Sequence, residues 1–504
     1  MRLGRNLLAG LASSAWTALV SLAVVPFYLK YLGIEAYGLI GFFVTTQILL
    51  QLLDLGLAPA INREVARGYA SGNLDEARSL LRTLAVIYWG MAAAIALIVV
   101  GLAPFIAKYW LQSNHLSQET VAQAMMLMGL VIACRWPIGL YLSALMGAQR
   151  LTVSSSVSIA MVTLGSFGAV GVLAFVSPTI QAFFIWQAIV GFVYAAVARW
   201  AAWWVVGRPV GARFDVAGLK RIWRFSAGMS GVAVSGLILM QLDKVLLSRM
   251  LSLGDFGRYT LAALVASGLY VLLTPVFNAI FPRMSALVAT GDTEKLVDLY
   301  RTGTRLLLAA LFPVAVSAAF FSEDLVHLWT GNAELAASVA PIVSLLLIGT
   351  AMNGAMHFPY ALQLAYGMTR LPLTINAILM AVLVPAIIFL ALHYGAIGGA
   401  AAWAILNFLY LLLGTWLTHR SLLKGIALKW LLTDVMMPLS LSLLIVGIGA
   451  RLVDDTVYTH YARLLIGVGL AFLAFSSIIL VSPNLSLRVR NSLSQTMNRI
   501  VVPK

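Results

Sequence analysis

A chain of 504 residues in which 61% are hydrophobic and only 10% are charged is not a soluble protein, for which about a quarter of residues are charged. Its formal net charge of +15 sits in short connectors between apolar runs, which excludes a nucleic-acid surface and matches the bias of cytoplasmic loops. A single cysteine, Cys134, excludes an internal disulfide.

Runs of about 20 apolar residues, the length that crosses a hydrocarbon core, give about fourteen spans. They are residues 8–29, 37–60, 84–107, 122–146, 152–176, 180–205, 225–249, 257–281, 304–327, 338–365, 372–393, 396–418, 431–451 and 463–482. The first run follows Met1-Arg2-Leu3-Gly4-Arg5. It is too long for a signal-peptide core and reads as an uncleaved span. With the N-terminus inside, most Lys and Arg residues fall in cytoplasmic connectors. Examples are Arg63, Arg67, Arg78 and Arg82, the stretch from Arg208 to Arg224, Arg283, Lys295, Arg301 and Arg305, and the tail from Arg488 to Lys504. Both termini are therefore expected in the cytoplasm.

The connectors are too short for a soluble domain. They carry no His-Glu-x-x-His, no Gly-rich phosphate loop and no nucleophile–base arrangement. No enzyme, cofactor or metal site is expected. His357, inside the tenth span, reads as a satisfied core histidine.

The charges kept inside the spans are the candidates for function, because each costs roughly 2.5–3.5 kcal/mol at the centre of a membrane helix. Asp54 lies near the inner end of span two. Its readings are a partner for a cavity base, a site for a coupling cation, or a helix-end partner for Arg63. Arg135, in Ala133-Cys134-Arg135-Trp136-Pro137, has no acidic residue within a turn. It is expected to line a cavity, against the alternative of binding backbone carbonyls freed by Pro137. Arg199 stands beside Trp200, Trp203 and Trp204, where snorkelling at an aromatic belt competes with a cavity role. The stretch Gln241-Leu242-Asp243-Lys244-Val245-Leu246-Leu247-Ser248-Arg249 places Gln241, Lys244 and Ser248 on one helix face. Lys244 and Arg249 are candidate cavity cations, Asp243 the counter-ion of Lys244 or a cation-coupling group. An interfacial Arg249 that snorkels to water is the rival reading.

The second half echoes the first. Leu32-Gly33-Ile34-Glu35-Ala36-Tyr37-Gly38 matches Leu251-Ser252-Leu253-Gly254-Asp255-Phe256-Gly257 at an offset of 219 residues, as do Gly72-Asn73 with Gly291-Asp292 and Arg82-Thr83 with Arg301-Thr302. Gly147 and Arg150 match Gly367 and Arg370 one residue out of step. Six spans per repeat return the chain to the same side, so the halves share an orientation around an axis along the membrane normal. The expected division is 1–206 (spans one to six), a basic linker 207–224, 225–425 (spans seven to twelve) and 426–504 (spans thirteen and fourteen with a tail). Arg135 and Lys244 are then expected to face the space between the lobes, with spans thirteen and fourteen outside the cavity, against the lipid tail.

Several stretches carry a family resemblance: Lys30-Tyr31-Leu32-Gly33-Ile34-Glu35-Ala36-Tyr37-Gly38, Asp54-Leu55-Gly56-Leu57, Asn62-Arg63-Glu64, Gln241-Leu242-Asp243-Lys244, Gly254-Asp255-Phe256-Gly257-Arg258-Tyr259 and Phe281-Pro282-Arg283-Met284-Ser285. Over roughly residues 5–425 the chain resembles the polysaccharide-transport branch of the multidrug/oligosaccharidyl-lipid/polysaccharide exporter superfamily, the Wzx-type O-antigen flippases. The resemblance implies an all-α bundle of two pseudo-symmetric six-helix lobes plus two C-terminal helices, with a cationic cavity. It also implies alternating-access transfer of an undecaprenyl-pyrophosphate-linked oligosaccharide across the bacterial inner membrane. Membrane lipid, and a polymerase and chain-length regulator of the same pathway, are the implied partners. A cation-coupled multidrug exporter of the same superfamily is the rival, and calls for an acidic cavity rather than this basic one. A membrane glycan polymerase calls for larger outer loops.

Overall fold

The computed structural model describes residues 2–207, 214–453 and 457–482. Among them the chain is helical, with one isolated bridge between Gln112 and Ser252 and no named strand. Residues 208–213 of the basic linker and the tail with Arg488, Arg490, Arg499 and Lys504 lie outside the described residues.

The helices are α1 (Arg2–Leu50), α2 (Leu57–Ser71), α3 (Asp75–Tyr109), α4 (Gln118–Arg135), α5 (Ile138–Gly147), α6 (Leu151–Phe175), α7 (Ile180–Val206), α8 (Val216–Met250), α9 (Leu253–Ser267), α10 (Tyr270–Thr290), α11 (Thr293–Phe320), α12 (Ser322–Thr330), α13 (Ala333–Ala355), α14 (His357–Ala365), α15 (Arg370–Ser421), α16 (Ala427–Lys429), α17 (Met437–Arg451) and α18 (His460–Val481). Their starts follow local chemistry: Ser117, Thr179, Asp215, Asn332 and Thr459 each accept a backbone N–H of the first turn of α4, α7, α8, α13 and α18.

Among the described residues, eleven helical stretches are long and apolar enough to cross a membrane. Two of them, Ala9–Asp54 and Arg370–Ser421, run for 46 and 52 residues. At about 1.5 Å per residue they far exceed a core of about 30 Å. Each is interrupted by a glycine in a non-helical conformation, Gly33 (φ 79°) and Gly395 (φ 58°), and so has the length for two crossings. With α8, which carries the seventh apolar run, this is compatible with fourteen spans. Large apolar side chains on the outside, such as Phe175, Leu97 and Leu480 at 91, 74 and 75% exposure, are what lipid as solvent allows and water does not. The chain is an all-α polytopic membrane protein.

The chain divides into two compact units, Met1–Thr260 and Leu261–Lys504. This boundary follows packing, and α8 with the start of α9 belongs to the first unit. In that unit Ile61, Val65, Leu81, Leu84, Tyr88, Leu140, Tyr141, Ala198 and Ala202 form one buried core, where close packing rather than hydrophobic transfer supplies the stabilisation.

Several runs that read as single spans are broken. The run 122–146 divides at Trp136–Pro137 into α4 and α5, and 338–365 divides at Met356 into α13 and α14. The run 257–281 divides between α9 and α10. The second span ends early: α1 stops at Leu50, and a tight turn through Asp54 leads to Leu55 and Gly56, both left-handed.

The sequence repeat recurs in these boundaries. Gly72 and Gly291, 219 residues apart, end α2 and α10 in the same left-handed conformation. Likewise α5 begins at Ile138 and α14 at His357, and Arg150 and Arg370 stand where α6 and α15 begin. Inside the first unit, segments equivalent in the two repeats touch reciprocally. A Cβ on Gly38 would overlap the carbonyl oxygen of Leu253, and one on Gly257 would overlap that of Ile34. Gly41 likewise lies against Thr260. Both pairs, 34 with 253 and 38 with 257, are separated by the repeat offset. The close approach is open only to glycine.

Candidate functional site

Arg135 ends α4, one residue before the break at Trp136–Pro137. Its Nη2 donates to Oε1 of Gln187 on α7 at 2.5 Å, and its guanidinium lies 5.7 Å from the ring centroid of Phe43. Gln187 is itself held in place, because its Nε2 donates to the Gly165 carbonyl on α6. Gly191, one turn further along α7, leaves space for the Arg135 stem, since a Cβ there would stand 3.1 Å from Arg135 Cγ. Tyr28 packs edge-on against Phe183 and Phe43 against Phe184. Tyr28 donates to the Ser166 carbonyl, and the Tyr194 hydroxyl bonds with Ser158 Oγ at 2.8 Å.

No Asp or Glu among the described residues forms an ion pair with Arg135. Its donors beyond Gln187 are not sealed in, for no Arg135 nitrogen is among the buried side-chain atoms left without a partner. The guanidinium is thus fixed by a neutral amide and an aromatic face, with donors open to an incoming acceptor.

Lys244, Asp243 and Asp54 each have partners within the chain. Lys244 Nζ lies 3.3 Å from Asp243 Oδ1 and from the Met240 carbonyl. Asp243 is 2% exposed and accepts a 2.5 Å bond from the Tyr259 hydroxyl. Asp54 accepts from the Ala58 N–H at the start of α2 and from the Tyr88 hydroxyl. It serves as a helix cap tied to a tyrosine of α3.

Arg199 is exposed on α7 beside Trp200 and Trp204, whose rings stack at 6.2 Å. Arg249 is exposed at the end of α8, and its carbonyl accepts from Gln112 Nε2 at 3.2 Å. The structure therefore joins Lys244 to Asp243 and gives Arg135, Asp54, Arg199 and Arg249 separate surroundings. His357 directs Nδ1 towards the Asn353 carbonyl at 3.3 Å.

Sequence reasoning missed three groups. Gln187 is the acceptor that orients Arg135, and a glutamine in an apolar run is a weak signal. Glu35 is 7% exposed, its carboxylate cradled by the backbone N–H groups of Asn114, His115 and Leu116. This holds the outer connector whose Gln112 carbonyl accepts from Leu253 N–H at 2.7 Å. Asp434, with no exposed side-chain surface, takes Arg301 Nε at 2.7 Å and Arg305 Nε at 2.9 Å. Arg301 and Arg305 thus lie inside α11, bonded across to the π-helical turn Trp430–Met436, rather than in a loose connector. Their charges, too, are spoken for.

Comparison with known proteins follows the same lines. A family model described as "Polysaccharide biosynthesis protein" matches residues 3–288, and the MatE model matches 236–390. A putative O-antigen transporter of Shigella flexneri is 21% identical over 427 residues, covering 83% of this chain and 98% of that protein. The succinoglycan biosynthesis transport protein ExoT of Rhizobium meliloti (strain 1021) is 24% identical over 502 residues, covering 96 and 94%. Among solved structures, the lipid II flippase MurJ in an inward closed conformation superposes with a TM-score of 0.69 at 16% identity, covering 94% of this chain and 98% of that one. With more than half of its length matched by the family model, the chain belongs to the polysaccharide biosynthesis protein family, in the polysaccharide-transport branch of the multidrug/oligosaccharidyl-lipid/polysaccharide exporter superfamily.

Proposed function

We propose that this protein is a flippase. It moves an undecaprenyl-pyrophosphate-linked oligosaccharide from the cytoplasmic to the periplasmic leaflet of the bacterial inner membrane by alternating access. The product serves O-antigen, capsule or exopolysaccharide assembly, with both termini of the protein in the cytoplasm and a polymerase and chain-length regulator as downstream partners. The observation that carries this reading is Arg135: a guanidinium set inside a membrane bundle, oriented by Gln187, with no acidic partner among the described residues. A charge so placed is costly unless an anion completes it, and a pyrophosphate offers the acceptors its planar fork fits. Lys244, Arg199 and Arg249 are secondary candidates, Lys244 being held by Asp243 until substrate arrives.

The potential sets the direction. About two negative charges moved outward down an inside-negative potential gain on the order of 4–5 kcal/mol per 100 mV if they cross the whole field. The emptied cationic site is drawn back by the same potential.

The MatE match over residues 236–390 favours a second reading, a cation-coupled multidrug exporter with Asp54 or Asp243 as the coupling group. An unneutralised Arg135 repels cationic drugs, and both aspartates already accept tyrosine hydroxyls.

Surface polysaccharide in a strain lacking its own flippase tests the proposal, scored together with the protein's abundance in the membrane. Wild type restores the polymer and Arg135→Ala does not, at equal abundance. Full restoration by Arg135→Ala contradicts the reading.

A further inference from the structure

We propose that the second unit carries an uncharged subsite for the sugar, in which Asn353 and Asn407, and Tyr360 from the following helix α14, receive the hydroxyl groups of the glycan; this rests on the substrate reading above.

The repeat extends to the helix breaks. The α4–α5 break recurs as the α13–α14 break at an offset of 219–220 residues. At that offset Arg135 falls on Gly354 or Ala355, next to Asn353, and Gln187 falls on Leu406 or Asn407. Asn353 Nδ2 donates to Asn407 Oδ1 at 2.8 Å, as Arg135 donates to Gln187 in the first unit. The two bonds join equivalent helices, α4 with α7 and α13 with the second limb of α15. Where the first repeat keeps a cation on an amide, the second keeps an amide on an amide.

The pair is built to present a free end. Asn407 is 1% exposed and its Nδ2 donates to the Trp403 carbonyl at 2.9 Å, which fixes its Oδ1 towards Asn353. Asn353 is only partly buried, and no atom of its amide is sealed without a partner. Its carbonyl oxygen is therefore open, an acceptor for an incoming hydroxyl group. A sugar hydroxyl is both donor and acceptor.

The surroundings suit a pyranose better than an anion or a cation. His357 and Tyr360 follow Asn353 at four and seven residues, and Tyr410 follows Asn407 at three. Phe277 of α10 lies against Tyr360 with centroids 6.1 Å apart and 23° between planes, and meets His357 edge-on at 6.1 Å. These rings give apolar faces and phenol hydroxyls. No Asp, Glu, Lys or Arg occurs in residues 270–282, 335–366 or 371–418. A few convergent polar groups on an aromatic lining are what a neutral polyol needs.

An amide pair can also be plain glue between membrane helices, and the test separates the two roles. The purified protein is titrated with two probes: undecaprenyl pyrophosphate, and the same lipid carrying the oligosaccharide repeat of the producing strain. The wild type binds the glycosylated lipid more tightly than the bare one. Asn353→Leu weakens the glycosylated lipid about tenfold, the scale of one or two lost hydrogen bonds, and leaves the bare lipid unchanged. Arg135→Ala weakens both. If Asn353→Leu does not fold, Tyr360→Phe carries the same selective loss. An unchanged affinity for the glycosylated lipid, an equal loss for both lipids, or a wild type that binds both equally overturns the subsite. A wild type that binds neither overturns the substrate reading itself.

Discussion

Arg135 and Lys244 are both cations inside apolar runs, yet their neighbours give them different duties. Lys244 lies 3.3 Å from Asp243, a counter-ion legible in the sequence as the adjacent residue, and Arg135 rests on a neutral amide. That amide was not legible, because Gln187 lies 52 residues from Arg135 in sequence. Exchanging the amide makes the point testable. Gln187→Glu converts the orienting acceptor into a counter-ion and is expected to abolish transport at normal abundance, whereas Gln187→Leu loosens Arg135 and lowers transport only in part. Surface polysaccharide scored against membrane abundance checks this. Full activity of Gln187→Glu would show that the charge of Arg135 is not used. Asp243→Leu leaves Lys244 and the Tyr259 hydroxyl without their partner and is expected to cost about 3 kcal/mol or more of stability. It should appear as lowered thermal stability of the purified protein, with the loss reduced in Asp243→Leu, Lys244→Met.

At the scale of elements, the repeat was readable from a handful of Gly and Arg residues, because the same turns and caps recur at one spacing. The helix breaks were not. Pro137 signals the first, but the matching break at Met356 has no proline at the break itself, and hydropathy reads both as continuous spans. The role of Asp434 was also hidden. It lies in a run whose one other charge is Arg451 at its far end, and its partners Arg301 and Arg305 are more than 120 residues earlier. The buried triad bonds the turn before α17 to α11, so this part of the chain is fastened to the second unit. Asp434→Ala leaves two guanidinium groups unpaired and is expected to cost roughly 3–5 kcal/mol. Thermal unfolding in detergent reads the loss, and an unchanged melting temperature would refute it. The reciprocal crossing of Gly38 and Gly257 predicts equal penalties. Gly38→Val and Gly257→Val should each destabilise by about 1–3 kcal/mol, and a large effect of one with none of the other would contradict the reciprocity.

For the whole molecule, composition alone declared a membrane protein, and the retained intramembrane charges pointed to an anionic passenger. The balance of those charges only emerged from packing. Arg301 and Arg305 are satisfied by Asp434, and Lys244 by Asp243, while Arg135 stands open. The central claim is that Arg135 takes the pyrophosphate of a lipid-linked oligosaccharide during its passage. The most direct measurement is translocation of undecaprenyl-pyrophosphate-linked oligosaccharide between the leaflets of proteoliposomes, followed under an imposed potential. Wild-type protein is expected to move the lipid faster when the potential drives negative charge along the transport direction, and Arg135→Ala to stay at the rate of protein-free vesicles. Translocation by Arg135→Ala at the wild-type rate, with the same dependence on potential, would contradict the account.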